Sequence, residues 1–164
     1  MSASYLLILT IASAFTVGQA SPAETVRPPT VLFMCPHGAA KSVLASAYFQ
    51  RAAKERGLNV HVLSAGTDPD AQVSPKVAAH LRSNGYDVPV DKPRRVTAED
   101  MAAADVVVSL GCDLRDMPPR RGTLLTWDDV PAPSEDFAGA DQKIRERVTR
   151  LVEDLIGQQR KRQR

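Results

Sequence analysis

The sequence predicts a single α/β domain, in which helices cover both faces of a four-stranded parallel sheet. Short runs of aliphatic and β-branched residues alternate with longer amphipathic stretches, and this order is typical of parallel sheets. Polar or nucleophilic residues follow directly after several of the runs. Because ligands bind outside the carboxyl ends of the strands in open α/β sheets, this placement predicts one site at that edge. The 164 residues suffice to bury a normal core.

The elements are assigned in order from local signals. Strands are predicted at four apolar runs: 31–35, 60–65, 105–110 and 123–127. Helices are predicted where apolar residues recur at helical spacing or where capping residues occur. The first helix begins near Ser42 and ends before Gly57, and the second begins at Pro75 and ends before Gly85. A short third helix follows Thr97, and the fourth covers residues 144–155. The domain is expected to cover residues 31–157, with a disordered basic tail at 158–164.

The first predicted strand ends at Cys35, and a loop of small residues separates it from the helix that begins near Ser42. Backbone N–H groups of such a loop and of a helix N-terminus favour an anion, and the same field favours a cysteine thiolate. Lys41 is a candidate cation for the anion, and Ser42 a candidate hydrogen-bond partner of the sulfur. The alternative is a buried structural cysteine. The candidate oxyanion-binding residues are Pro36, His37, Gly38, Ala39, Ala40 and Lys41.

This Cys-x5-Lys-Ser stretch resembles the Cys-x5-Arg-Ser loop of the low-molecular-weight protein tyrosine phosphatases and the related thioredoxin-coupled arsenate reductases. The segments 64–67 and 104–108 and the Trp-Asp-Asp stretch at 127–129 also resemble the family, so the likeness covers about residues 30 to 156. The resemblance implies a flavodoxin-like three-layer sandwich. It also implies phosphomonoester hydrolysis, in which Cys35 attacks phosphorus and an aspartic acid after the fourth strand protonates the leaving oxygen.

Three departures from the family pattern affect the predicted chemistry. The family's acid stands in an Asp-Pro pair, whereas a valine precedes Pro131 here, so Asp129 is the first candidate acid and Asp128 the second. Both aspartates are equally compatible with simple turn capping. Lys41 stands where the family has an arginine, whose guanidinium would donate hydrogen bonds to two phosphate oxygens at once. Glycine and alanine, at 38 and 40, replace the loop's asparagine and second cysteine.

Two further residues have alternative interpretations. His37 lies inside the loop, and it is either an anion ligand or, as we favour, a partly exposed loop side chain.

Gly111-Cys112-Asp113 resembles the arsenate-reductase segment whose cysteine attacks the cysteine of the anion loop, which would make Cys35 and Cys112 a redox pair. The third cysteine of that relay would fall near Asp116 or Met117, so the relay is incomplete. A buried structural Cys112 is the alternative.

The composition limits the kinds of partner and cofactor that we expect. A formal net charge of +2 does not indicate nucleic-acid binding, and two cysteines give neither a disulfide framework nor metal-ligand spacing, so no cofactor is expected. The resemblance implies a phosphorylated small molecule, a phosphotyrosine protein or another oxyanion as partner, and we expect a monomer. Three functions remain open: a phosphatase with a cysteinyl-phosphate intermediate, an arsenate-reductase-like protein, and a non-catalytic oxyanion binder.

The pattern of residues 1–20 indicates a secretory signal peptide. They contain no acidic or basic residue, the apolar run from Tyr5 to Val17 is short for a membrane span, and Ala20 ends a suitable cleavage site. An uncleaved anchor and a wrongly assigned start codon are the alternatives. We expect a secreted or periplasmic protein without stable membrane insertion after processing, in which residues 21–30 form an extended, proline-containing linker.

Overall fold

The computed structural model describes residues 27–162, so the predicted signal segment 1–20, residues 21–26 of the predicted linker and residues 163 and 164 lie outside the described residues. Four parallel strands form one sheet in the order β2-β1-β3-β4. The strands are β1 (Thr30–Cys35), β2 (His61–Gly66), β3 (Val106–Ser109) and β4 (Thr123–Thr126). The helices are α1 (Lys41–Glu55), α2 (Pro75–Ser83), α3 (Ala98–Ala103) and α4 (Phe137–Arg162). The predicted flavodoxin-like α/β fold is confirmed.

Strand β1 lies at the centre of the sheet and is buried along its whole length. Its alternate side chains enter two separate apolar clusters, one on each face. Phe33 packs on the face covered by α1 and α4, and its ring centroid lies 5.4 Å from that of Phe49 and 6.0 Å from that of Trp127. Met34 points to the opposite face, where Met101 of α3 covers it. A strand buried on both faces requires a continuous apolar run, which is why the sequence located it.

The helix ends lie close to the predicted signals except in α4, which begins at Phe137 rather than near Ile144 and also extends beyond its predicted end. The side chain of Thr97 accepts a hydrogen bond from the Asp100 N–H at 3.1 Å, and the Asp100 side chain accepts one from the Thr97 N–H at 2.9 Å. Helix α4, by contrast, continues to Arg162, so residues 158–162 of the predicted tail are helical. Glutamine, arginine and lysine are good helix formers and no proline interrupts them. None of the helices within residues 27–162 is long and apolar enough to cross a membrane.

A half-buried polar cluster joins α1 to α4 on the side of the sheet away from α3. The Tyr48 hydroxyl donates to Asp141 and lies 3.1 Å from Nε2 of His80, and Arg145 donates from Nε to Asp141 at 2.9 Å. The Arg145 guanidinium also lies 4.0 Å from the centroid of the Tyr48 ring and donates to the Tyr86 hydroxyl at 2.9 Å. Desolvation acts to raise the pKa of Asp141, but the hydrogen bonds from Arg145 and Tyr48 outweigh it and hold that pKa below its usual value.

We therefore expect Asp141→Asn to lower the free energy of unfolding by about 1–3 kcal/mol, because Arg145 loses its charged partner. A depressed carboxyl pKa stabilises the fold above the unfolded-state pKa of about 3.9, and this contribution is lost as pH falls through the folded value. Urea melts at pH 7 and at pH 3 should show a smaller difference between variant and parent at pH 3. Asp154→Asn, at an exposed position of the same helix, is the matched control. An equal loss in both variants would contradict the assignment.

Candidate active site

The loop between β1 and α1 turns its carbonyl groups outward. The Pro36, His37 and Ala39 carbonyls accept hydrogen bonds from the N–H groups of Asp68, Asp70 and Ser74 at 2.8, 3.0 and 2.9 Å. In a planar trans peptide the N–H points away from the preceding carbonyl, so the N–H groups of residues 37 and 40 point away from segment 67–74. The Gly38 N–H donates to the Cys35 carbonyl at 3.3 Å. Segment 67–74 thereby orients the loop so that backbone N–H groups can serve as donors to an oxyanion.

Two glycines allow the loop to pack directly on the end of β2. Gly38 has a φ of +61°, in the left-handed region, and a Cβ added there would lie 2.9 Å from the Gly66 nitrogen. A Cβ added at Gly66 would lie 2.6 Å from the Gly38 nitrogen, so neither position tolerates a side chain without backbone movement. Gly38 adopts this conformation without the steric cost that an L side chain would bring. The loop therefore keeps its shape although the family's asparagine is absent.

Cys35 lies at the base of the loop beside the first turn of α1. Its Sγ is 3.3 Å from Oγ of Ser42, and both residues are buried. The contact that the sequence predicted between these residues is thus present. A hydroxyl at this distance can donate to a thiolate, which has no proton of its own to give. The carbonyl of Ser42 is itself held by a hydrogen bond of 2.6 Å from the Ser46 hydroxyl.

The Lys41 side chain extends toward the segments that follow β3 and β4. Its Nζ donates to the Val130 carbonyl at 3.3 Å, and it lies so close to Gly111 that an added Cβ there would be 3.2 Å away. An ammonium has three donors, so the Val130 bond leaves others for a ligand. Lys41 forms no ion pair within residues 27–162. The Lys41 ammonium is therefore held by one hydrogen bond beside the segments that follow β3 and β4.

His37 has its side chain on the outside of the loop. Its Nδ1 is 3.3 Å from Oδ1 of Asp70, and 67% of the side chain is exposed. This favours the interpretation of His37 as an exposed loop residue that contributes through its backbone N–H.

The two candidate acids face different surroundings. The Asp129 carboxylate pairs with Arg147 and, at 3.4 Å, with Lys143 of α4. Desolvation acts to raise the pKa of Asp129, but the charges of Arg147 and Lys143 outweigh it and hold that pKa below its usual value. Asp128 is exposed and has no hydrogen bond or ion pair to side chains in the described part of the chain. A proton donor needs a carboxyl that the substrate can reach and that is not already held in an ion pair, and Asp128 meets this requirement better.

Cys112 shares the carboxyl edge of the sheet with Cys35. Strands β1 and β3 are neighbours, and the Leu110 N–H donates to the Met34 carbonyl at 2.8 Å. Cys112 is half-buried, and its N–H donates to Oγ of Ser109 at 3.2 Å. Desolvation is the main cause that raises the pKa of Cys112 to about 11; Cys35 and Asp128 act in the same direction, and the Ser109 hydrogen bond and the Lys41 charge act against them. This thiol is therefore protonated at neutral pH. Both cysteines are free thiols.

Among residues 27–162, the histidine, cysteine and acidic side chains nowhere form a group of three that could hold a metal ion.

Comparison with known proteins places the loop in a family. Residues 30–121, more than half of the chain, match the model for the low molecular weight phosphotyrosine protein phosphatase family. The chain belongs to this family. A Halobacterium salinarum protein named as a candidate arsenate reductase is 25% identical over 126 residues, covering 76% of this chain and 88% of its own. The family thus includes both phosphatases and arsenate reductases among its relatives.

Two solved structures are similar to this chain. A thioredoxin-dependent arsenate reductase of Corynebacterium glutamicum is 27% identical with a TM-score of 0.66, and the match covers 80% of this chain but only 63% of that one. A low molecular weight phosphotyrosine phosphatase of Vibrio cholerae is 24% identical with a TM-score of 0.71, covering 79% of this chain and 98% of that one. At 24% identity, the likeness to the Vibrio cholerae protein supports the fold alone.

Two parts of the site were missed by reasoning from the sequence. Segment 67–74 was assigned no role, although its N–H groups orient the loop carbonyls. The Val130 carbonyl was not recognised as a partner of Lys41. Backbone groups carry no signal of their own in a sequence, so only the Ser64–Thr67 resemblance pointed toward this region.

Proposed function

We propose that the chain is an enzyme that hydrolyses phosphomonoesters through a cysteinyl-phosphate intermediate on Cys35. The observation that carries this proposal is the 3.3 Å contact between the Cys35 sulfur and the Ser42 hydroxyl at the base of the N–H-lined loop. The contact supplies a donor for the thiolate, and the loop supplies donors for the oxyanion. Charge that develops on the three equatorial oxygens in the transition state is best stabilised by such preorganised donors.

The reaction has two steps. The Cys35 thiolate attacks phosphorus, the bond to the leaving oxygen breaks, and that oxygen takes a proton from a carboxylic acid. The resulting carboxylate then removes a proton from water, which attacks phosphorus and releases Cys35 and inorganic phosphate. We assign the acid to Asp128, since the ion pairs of Asp129 favour its deprotonated form. Lys41 and the loop N–H groups hold the phosphoryl oxygens in both steps.

An aryl phosphate with a chromogenic leaving group tests the proposal. Rapid mixing with the full chain should release a burst of phenol equal to the amount of protein, followed by slower turnover as the intermediate hydrolyses. Acid-quenched protein should carry one phosphoryl group on the peptide that contains Cys35. Absence of both the burst and the adduct, with phosphate still bound, would favour the third possibility, a non-catalytic oxyanion binder.

A second candidate function is arsenate reduction. It is favoured by the common sheet edge of Cys35 and Cys112 and by the candidate arsenate reductase among the relatives. The Cys35 thiolate would attack arsenate and displace one oxygen as hydroxide, which forms a sulfur–arsenic(V) bond, and the Cys112 thiolate would then attack the Cys35 sulfur. The sulfur–arsenic bond then breaks, its electron pair passes to arsenic to give arsenite, and a disulfide forms. A dithiol reductant would be needed to restore the two thiols.

We predict that arsenate alone will cause little loss of free thiols at neutral pH, because the raised pKa of Cys112 leaves few thiolates to attack. Titration of thiols after incubation with arsenate, at pH 7 and at pH 9, checks this. The same incubation with phosphate is the control. A rapid, arsenate-dependent loss of both thiols at pH 7 would overturn the phosphatase assignment in favour of the reductase.

A further inference from the structure

Segment 94–96 pairs with the outer side of β2, at the end of the strand that contacts the loop between β1 and α1. The Gly66 N–H donates to the Arg94 carbonyl, and the Val96 N–H donates to the Gly66 carbonyl, both at 2.9 Å. These two bonds form an isolated parallel bridge. Gly66 also packs against Gly38 so closely that neither position tolerates a side chain. Gly66 is therefore in direct contact with both segment 94–96 and the loop.

The side chain of Arg94 joins this segment to α3. Its guanidinium donates two hydrogen bonds to the Asp100 carboxylate, from Nη1 at 2.6 Å and from Nη2 at 2.9 Å. The Asp100 side chain is only 12% exposed, and it also accepts the Thr97 N–H in the capping box. Desolvation acts to raise the pKa of Asp100, but the hydrogen bonds from Arg94 and Thr97 outweigh it and hold that pKa below its usual value. Because a bidentate pair fixes the orientation of the guanidinium, Arg94 anchors its own backbone to the start of a helix.

Arg95 makes further side-chain contacts, but they are more exposed. Its guanidinium donates to the Thr67 carbonyl and, at 3.1 Å, to the Asp68 carboxylate. The side chains of Arg95 and Asp68 are 65% and 86% exposed. Exposed ion pairs are weak because solvent screens the charges, so this contact constrains the segment less than the Arg94–Asp100 pair does.

The position of Gly66 affects the loop in two ways. It determines the contact with Gly38, and it begins the stretch of chain whose N–H groups, at Asp68 and Asp70, orient the loop carbonyls. Hydrogen-bond donors stabilise a transition state only while they stay aimed at the charge that develops, so a small shift of the loop reduces their effect. Whatever fixes Gly66 therefore also fixes the donors of the loop.

We propose that Arg94 and Asp100 are positioning residues for the loop between β1 and α1. Their ion pair holds segment 94–96, segment 94–96 holds Gly66, and Gly66 holds the loop in its anion-binding shape. Neither side chain has to touch the substrate. This inference rests on the proposed function, because the loop is the part of the site that would hold the phosphoryl oxygens.

Binding of inorganic phosphate to the full chain, measured by calorimetry, tests the inference without any need for turnover. Arg94→Gln should raise the dissociation constant about five- to tenfold, because the loop donors lose their alignment. Arg95→Gln is the same substitution at the next residue, so it is the matched control, and it should change the constant by less than about twofold. Arg94→Lys keeps the charge without the bidentate geometry and should lie between the parent and Arg94→Gln. Unchanged binding in Arg94→Gln, or an equal loss in Arg95→Gln, would overturn the proposal.

Asp100→Asn tests the ion pair itself. The asparagine side-chain oxygen can still accept the Thr97 N–H, so the variant keeps the cap of α3 while Arg94 loses its charged partner. It should weaken phosphate binding about as much as Arg94→Gln does. The double variant should bind no more weakly than either single one, because both substitutions remove the same interaction. Losses that add in the double variant would show that the two residues act separately and would overturn the proposal.

Asp141→Asn separates positioning from general stability. It breaks an ion pair of α4 that does not involve Gly66, so it should bind phosphate within about twofold of the parent although it unfolds more easily. A loss of phosphate affinity as large as that of Arg94→Gln would overturn the positioning role. A parent that binds phosphate but releases no burst from an aryl phosphate would contradict the proposed function alone. A parent that binds no phosphate would overturn this inference as well.

Discussion

Replacing Cys35 with serine should lower the hydrolysis of aryl phosphates by at least about 10⁴-fold, because the reaction loses its nucleophile. A serine hydroxyl is protonated at neutral pH, and within residues 27–162 no histidine forms a hydrogen bond to position 35: the His37 side chain lies beside Asp70. The phosphate-binding N–H groups belong to the backbone of the loop, so they remain. We therefore expect Cys35→Ser to bind inorganic phosphate, measured by calorimetry, within about tenfold of the parent affinity.

Cys112→Ser is the matched control for this experiment. It replaces the other cysteine at the same sheet edge and should leave the burst and the steady-state rate within about threefold of the parent, because the proposed hydrolysis does not use that sulfur. Two results would contradict the nucleophile assignment. One is residual hydrolysis by Cys35→Ser at a rate near that of the parent, and the other is a loss in Cys112→Ser as large as the loss in Cys35→Ser.

Asp128→Asn should lower turnover by about 10²-fold, the usual contribution of a positioned general acid. Asp129→Asn should have a smaller effect on turnover and should mainly weaken the contact between the β4–α4 segment and Arg147 and Lys143. The two residues are adjacent and undergo the same substitution, so each serves as the control for the other. A greater loss of turnover in Asp129→Asn would show that the ion pairs seen here open during the reaction.

The leaving group of the substrate separates catalysis from folding in these variants. A general acid protonates the leaving oxygen, so the effect of removing it depends on how much proton donation that oxygen needs. A substrate whose leaving group is already a stable anion needs less proton donation. The deficit of Asp128→Asn should accordingly shrink with such a substrate, whereas a deficit that stays constant across leaving groups would indicate a structural role.

Local signals in the sequence were sufficient for the order and type of the elements. The continuous apolar run before Cys35 predicts a strand buried on both faces, and β1 is that strand. Thr97 and Asp100 are spaced for a capping box, and the box is formed. These features depend on residues that are close together in the chain, so a short stretch of sequence is enough to predict them. The loop residues also resemble those of the low-molecular-weight phosphatase family, and the comparison with known proteins confirms that the chain belongs to it.

The sequence also placed the site at the carboxyl edge of the sheet and predicted the contact between Cys35 and Ser42. Both follow from chain geometry, since a strand that ends beside a helix N-terminus leaves few directions for the residues between them. The placement of Cys35 and Cys112 at the same edge of the sheet required only that the first and third strands be neighbours, as they are.

Tertiary structure alone determined the partners of the charged groups near the loop. From the sequence, Asp129 was preferred to Asp128, but α4 brings Arg147 and Lys143 onto the Asp129 carboxylate. Lys41 is anchored by a carbonyl 89 residues away, and the loop carbonyls are oriented by a segment that follows β2. The direction and the pKa of an ionisable side chain depend on neighbours contributed by distant elements, so no local pattern specifies them.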